Sequence, residues 1–185
     1  MGNIFFDSRD LKYLGEGVII GKTVRIRNPE KVSIGDGTII DDFCYISASL
    51  EIGENCHIAS HVNISGGSGK LTVGNYVGIA SGCSIITQSS DYLSASFELP
   101  SIPDQERFGG HGSFVEIGDH VLLGAHTVVL PDVVLPEGLA SAAKTILRAK
   151  QYKAWHLYMG DEGKQLMRRN NKKLLAHLGK INKNR

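Results

Sequence analysis

The stretch IGDGTIIDDFCYISASLEIGENCHIASHVNIS, Ile34 to Ser65, places isoleucine at 34, 40, 46, 52, 58 and 64, each six residues from the last. The same register runs back through Leu14, Ile20 and Ile26. It runs forward through Val73, Ile79, Ile85, Ile117, Leu123, Val129, Leu135, Ser141 and Leu147, so that seventeen of these eighteen markers are aliphatic. A period of six suits neither an amphipathic helix nor an alternating strand. It suits a coil of short strands joined by tight corners, with one large aliphatic side chain pointing inward on each face. Three faces close a triangular prism, so one turn takes eighteen residues, and each coil buries its apolar edge only against the next.

Two further positions carry the pattern. The residue after the marker is often glycine (Gly15, Gly21, Gly35, Gly53, Gly74, Gly118, Gly124), which is expected to help the backbone turn. The fourth residue after it is small or β-branched, as at Val18, Thr38, Val62 and Thr127. Cys44, Cys56 and Cys83 occupy that fourth position and are read as small buried side chains rather than reactive thiols. Their spacings fit no metal motif.

The register is broken after Ile26, Ile64 and Ile85, by two, three and twenty-six extra residues. Grouping the hexads in threes puts every break after the third hexad of a coil, so all three insertions leave the prism at one corner. The fold expected is an all-β solenoid, a left-handed parallel β-helix of about six triangular coils with one extruded loop and a C-terminal α-helical cap. An N-terminal arm covers 1–12, the prism 13–150 with its loop at 88–113, and a basic helical segment 151–185. The loop is polar and aperiodic, and a loop of such length in a compact domain is usually functional. Residues 161–178 carry helix formers among Lys and Arg, and are expected to cap the prism end, where strand edges would otherwise lie open.

Composition is that of a soluble globular chain, 42% hydrophobic and 21% charged. No apolar run approaches a membrane span and the N-terminus lacks the layout of a secretory signal, so a cytoplasmic protein is expected. The net charge of +1 hides an asymmetry: residues 144–185 carry twelve basic and two acidic side chains, the other 143 residues eight basic and seventeen acidic. A solvated tail, a phosphate site, a nucleic-acid contact and an anionic membrane surface all accommodate such a segment, and charge alone does not choose among them.

The hexads over roughly 14–148 resemble those of the hexapeptide-repeat acyltransferases, a match that implies fold more than function. IGDHVLLGAHTVVLPDVVLPEGLA (Ile117 to Ala140) resembles the coils that bind coenzyme A in galactoside, maltose and xenobiotic acetyltransferases. AWHLYMGDEGK (Ala154 to Lys164) is similar to a degraded form of their closing segment. The loop text SSDYL, then PSIPDQERFGGHGSFVEIG, is similar to sugar O-acetyltransferases of lipopolysaccharide and capsule clusters.

The resemblance implies a homotrimer of parallel prisms, with a site in each groove between subunits and the extruded loop reaching across it. It also implies an acetyl-CoA co-substrate with no metal. Pantetheine would bond to backbone groups of Ala125 and Ala143, and the nucleotide end would meet Arg148 and Lys164. The acceptor implied is a sugar hydroxyl in cell-surface polysaccharide biosynthesis, or alternatively the amine of a nucleotide-linked aminosugar; nucleic acid is not an expected partner.

The family's histidine at the start of the loop is replaced here by Gln88, Ser89, Ser90 and Asp91. His111, near the loop's end, is therefore the candidate general base, with Asp91 to orient it or bind the sugar. Loss of the usual histidine favours the amine acceptor, which needs less basic assistance. His57, His61, His120 and His126 fall on outward hexad positions, with His126 a secondary candidate. A zinc hydrolase resembling γ-class carbonic anhydrases would gather three histidines on one metal, which these spacings do not obviously do. A noncatalytic scaffold on the same prism is the remaining class.

Overall fold

A computed structural model describes residues 2–90, 97, 99, 101–109 and 113–181. The chain winds as a parallel β-solenoid in which each strand pairs with the third one on, giving three flat faces. The first face stacks Tyr13–Leu14, Val32–Ile34, Ser49–Ile52, Lys70–Val73, Phe114–Ile117 and Val133–Leu135. The third stacks Arg25–Ile26, Tyr45–Ile46, Asn63–Ser65, Ser84–Ile86, Val128–Val129 and Ile146–Leu147. The second is longer: Ile19–Ile20, Ile39–Ile40, His57–Ile58, Gly78–Ile79, Leu122–Leu123 and Ala140–Ser141 are followed by His156–Met159 and then Lys164–Arg168.

Marker pairs with marker throughout. Ile34 lies beside Ile52, and Ile117 beside Leu135, eighteen residues on in each case. Leu14 pairs with Ile34, Ile52 with Val73 and Ile79 with Leu123, spacings of 20, 21 and 44 that carry the three insertions. Side chains of Ile34, Ile40, Ile46, Ile58, Ile64, Ile79, Ile85, Leu135 and Leu147 are fully buried in one continuous core. The polar marker, Ser141, is also buried, and its hydroxyl lies 2.8 Å from that of Thr127.

The glycine that follows the marker has a different task from the one expected. A Cβ on Gly35 would stand 2.6 Å from the backbone of Gly53, one on Gly53 2.8 Å from Gly74, and one on Gly124 2.6 Å from Ala142. These glycines let successive coils approach. The turn itself is made two residues later, where φ is positive: Gly17, Gly37, Asn55, Tyr76, His120 and Gly138 on one corner, Phe43, His61, Gly82, His126 and Lys144 on the next. Side chains in this conformation cost strain. At these corners they stack, Phe43 on His61 at 5.0 Å and Tyr76 on His120 at 5.2 Å.

Aspartate or asparagine two residues after the marker completes the corner. Its side-chain oxygen accepts the N–H that the preceding coil leaves unpaired: Asp36 from Glu16, Asn75 from Glu54, and Asp119 from Asn75.

The C-terminal segment departs from the expected helix over 161–178. His156–Met159 joins the second face in parallel beside Ala140–Ser141, and Lys164–Arg168 returns antiparallel to it. Gly160 and Gly163, both at positive φ, make the turn. The open ladder edge of the last coil offers this segment backbone partners that an isolated helix lacks, and edge pairing overrides helix propensity. The solenoid ladder therefore continues past residue 150, and the helix is confined to Lys172–Ile181. Among the described residues no helix is long and apolar enough to cross a membrane.

A clasp fixes the hairpin to the body. Trp155 stacks on His120 at 6.0 Å, Arg169 lies 5.7 Å over the Trp155 ring, and its guanidinium donates to the carbonyls of His120, Gly138 and Leu139. A Cβ on Gly138 would come within 2.2 Å of the indole. Gly138→Ala is expected to displace Trp155 and cost about 1–3 kcal/mol. Trp155 is the chain's single tryptophan, so a red shift of its emission alongside a lower denaturant midpoint checks this.

Candidate active site

The extruded loop leaves and rejoins the solenoid at the corner between the third and first faces, and both of its roots are pinned. Thr87 is buried, its hydroxyl donating to the carbonyls of Ser65 and Gly66. Next to it Gln88 Oε1 accepts from the Ser68 hydroxyl at 2.7 Å. At the far root Ser113 donates its hydroxyl to the Asp132 carboxylate, and its carbonyl accepts from Lys70 N–H at 3.0 Å. Within the loop, Phe97 and Phe108 exchange two backbone hydrogen bonds and stack their rings at 6.1 Å. Phe97, Leu99 and Phe108 are nonetheless exposed. Asp91 and His111 lie outside the described residues.

The four coenzyme candidates gather at the far end of the solenoid. Ala143 sits one coil above Ala125, tied to it by the bond from Lys144 N–H to the Ala125 carbonyl at 2.8 Å. That carbonyl is thus engaged in the ladder. Among the described residues no bond uses the Ala125 N–H or either backbone group of Ala143. Arg148 follows the last strand of the third face, exposed, while its carbonyl accepts from the Tyr152 hydroxyl. Gly163 packs against the carbonyl of Ile146, which brings exposed Lys164 over the same edge. Lys150 donates to the carbonyls of Glu162 and Gly163 and so holds the turn in place. The arrangement presents unpaired amide groups flanked by two cations, suited to a chain of amides ending in phosphates.

Histidines on the outer surface serve the corners. The His126 ring covers Gly82 on the preceding coil, leaving no room for a Cβ there. His57 Nε2 lies 2.8 Å from an Asp41 carboxylate oxygen on the second face, an exposed pair that hexad spacing alone does not reveal. Among the described residues no group of three or more His, Cys, Asp or Glu is placed to hold a metal.

The thiols are structural but not merely apolar. Cys44, Cys56 and Cys83 donate to the carbonyls of Ala59, Gly74 and Gly124 on the following coil at 3.1–3.2 Å, as Thr38 Oγ1 does to Gly53 at 2.9 Å. Burial pushes all three thiols up, Cys44 to about 11.

A cavity of about 550 Å³ lies at the opposite end, under the N-terminal arm. There Leu14, Val18 and Ile20 of the first coil have no preceding coil to cover them, and Phe6 fills part of the space. Asn3 holds the arm down by donating to the carbonyls of Gly21 and Val24. This cavity is the unclosed end of the prism, remote from the loop roots.

The bacterial transferase hexapeptide (six repeats) family model matches residues 31–66. A dTDP-4-amino-4,6-dideoxy-D-glucose acyltransferase of Escherichia coli is 35% identical over 167 residues, 89% of this chain and 85% of that protein. The chain belongs to the hexapeptide-repeat acyltransferases. Within that family it is similar in structure to AntD, an N-acyltransferase from Bacillus cereus solved with dTDP and 3-hydroxybutyryl-CoA (TM-score 0.85, 27% identity, 98% of each chain covered). A variant of AntD has been solved with dTDP-4-amino-4,6-dideoxyglucose and coenzyme A. A maltose O-acetyltransferase from Clostridium difficile 630 shares the fold (TM-score 0.56, 16% identity, 88% of this chain and 72% of that one).

The thiol geometry predicts that none of the three cysteines reacts with a disulfide reagent in the native protein and all three do after denaturation. Folded Cys44 keeps its proton above the pH at which the unfolded thiol, near 9, loses it. The unfolded state then binds fewer protons, so stability is expected to fall as pH rises from 9 towards 11; denaturant midpoints across that range measure it.

Proposed function

We propose that this protein transfers an acyl group from acetyl-CoA, or a closely related acyl-CoA, to the amine of a dTDP-linked amino-dideoxy sugar. The observation that carries this reading is the similarity, over nearly the whole chain, to relatives that act on or bind dTDP-4-amino-4,6-dideoxyglucose. The sequence at the loop start agrees with it. Transfer to a hydroxyl needs a strong base there, whereas an amine is the better nucleophile and needs only to shed its ammonium proton. The hydroxyl acceptor gives way to the amine on these grounds.

In this reading coenzyme A lies along the last coils. The backbone of Ala125 and Ala143 holds the pantetheine amides, and Arg148 and Lys164 meet the phosphates. The C–S bond of the thioester breaks as the C–N bond of the amide forms. His111 takes the proton the amine releases and returns it to the departing thiolate, and Asp91 orients His111. Assembly as a homotrimer of left-handed prisms belongs to the same proposal. The exposed Phe97, Leu99 and Phe108 of the loop support it, since a neighbouring prism would cover them. A cytoplasmic setting and a role in surface polysaccharide biosynthesis belong to it too.

Assays with acetyl-CoA run in parallel on dTDP-4-amino-4,6-dideoxyglucose and on hydroxyl acceptors such as maltose are expected to release coenzyme A only with the amine. Turnover confined to the hydroxyl acceptors would overturn the reading. His111→Ala is expected to lower kcat on the amine by on the order of 10²-fold; unchanged turnover would move the proton-accepting role to Asp91.

A further inference from the structure

Beside the loop roots, on the first face, a cleft of about 370 Å³ is lined by Lys12, Glu30, Lys31, Ser49, Glu51 and Lys70. Strand register explains the grouping. Lys70 lies opposite Ser49, and the pairing of Val32 with Leu50 sets Lys31 opposite Ser49 on its other side. Lys31, Ser49 and Lys70 thus form one row over three successive coils, about 4.8 Å apart per step. Glu51 stands beside the row and binds two ammonium groups, Lys70 at 2.7 Å and Lys12 at 3.4 Å. Among the described residues no acceptor engages the Lys31 ammonium.

Charge makes this cleft unusual for the chain. The first 143 residues hold only eight basic side chains against seventeen acidic ones, and three of the eight line this one cleft. Three cations outnumber the two carboxylates there, on a body that is otherwise acidic. Position matters as much. Lys70 N–H bonds to Ser113 at the loop's far root, and Ser68, two residues before Lys70, holds Gln88 at the near root. The cleft therefore opens at the foot of the loop on the first face, with Lys70 one coil before the coil of Ala125 and Lys31 and Lys12 further towards the N-terminal end, whereas Ala125 and Ala143 lie at the corner between the second and third faces.

We propose that Lys12, Lys31 and Lys70 form the site that binds the diphosphate of the nucleotide-linked acceptor, with Ser49 as a hydroxyl donor between the two row lysines. Compact ammonium groups on flexible stems suit phosphate oxygens as point charges. Glu51 keeps Lys12 and Lys70 extended over the cleft, and Lys31 brings the uncommitted charge. The assignment rests on the nucleotide-linked acceptor proposed above, and adds the residues that select for the phosphates.

The test uses the full chain and calorimetric titration with dTDP, inorganic pyrophosphate and coenzyme A. Lys31→Gln removes a side chain whose ammonium makes no bond among the described residues, so its melting temperature should match the parent and serve as the folding control; Lys70→Gln is the second variant. Each is expected to weaken dTDP and pyrophosphate roughly tenfold, to leave the coenzyme A Kd unchanged, and to raise the KM for the sugar nucleotide more than it lowers kcat. An unchanged dTDP Kd in the double variant, or a parent that binds neither dTDP nor pyrophosphate, overturns the proposal. Pyrophosphate binding that depends on Lys31, in a protein that acylates no nucleotide-linked amine, would sustain the cleft and overturn the acceptor chemistry instead.

Discussion

Everything in this molecule depends on the inter-coil hydrogen-bond ladder, which holds each marker beside the corresponding marker of the next coil, eighteen positions on wherever no insertion intervenes. The ladder leaves no freedom of register, because a slip of one residue would turn every buried isoleucine outward. It also brings successive coils so close at the marker-following position that Gly35, Gly53 and Gly124 meet the backbone of the next coil. The corner devices serve the same spacing. Asp36, Asn75 and Asp119 satisfy the amides that the turns strand, and at Thr38, Cys44, Cys56, Cys83 and Thr127 a buried hydroxyl or thiol ties the corner to the coil after it.

A rigid ladder confines chemistry to places where it can be interrupted or where it ends. The insertions leave at one corner, and there the loop roots, the Gln88–Ser68 bond and the lysine cleft converge. The other place is the end of the ladder, where the segment Tyr158 to Gly160 takes the N–H groups of Ala142 and Ile146, no bond among the described residues uses the amide groups of Ala143, and the hairpin brings Lys164 alongside. The two regions lie on one rigid body, and a donor and an acceptor held on them keep a fixed separation. Fixed geometry of this kind is what bimolecular acyl transfer gains most from.

The faces, the coil boundaries and the insertion corner were legible in the sequence because a six-residue period is a local property. Less legible was anything decided by what lies one coil away. Marker-following glycines read as turn residues, but close approach of another coil is invisible until the coils are stacked. The hairpin Lys164–Arg168 read as helix because the edge that captures it lies in Ala140–Ser141, by way of His156–Met159. The lysine row was present in the text at 31 and 70, thirty-nine residues apart, and becomes a site only once Ser49 is seen to lie between them. Asp41 and His57 are a similar case, sixteen residues apart and in contact.

The two ends of the prism are built very differently. At one end the first coil is half covered by a short arm over a cavity, with Leu14 39% exposed. At the other, a hairpin, an indole and a guanidinium lock the final coil. In a solenoid each coil leans only on its neighbours, so stability is summed along the axis and loss of order spreads from the weaker end. Disassembly of this chain is therefore directional: it peels from the arm towards the clasp, and the coil that carries Ala143 is the last to open.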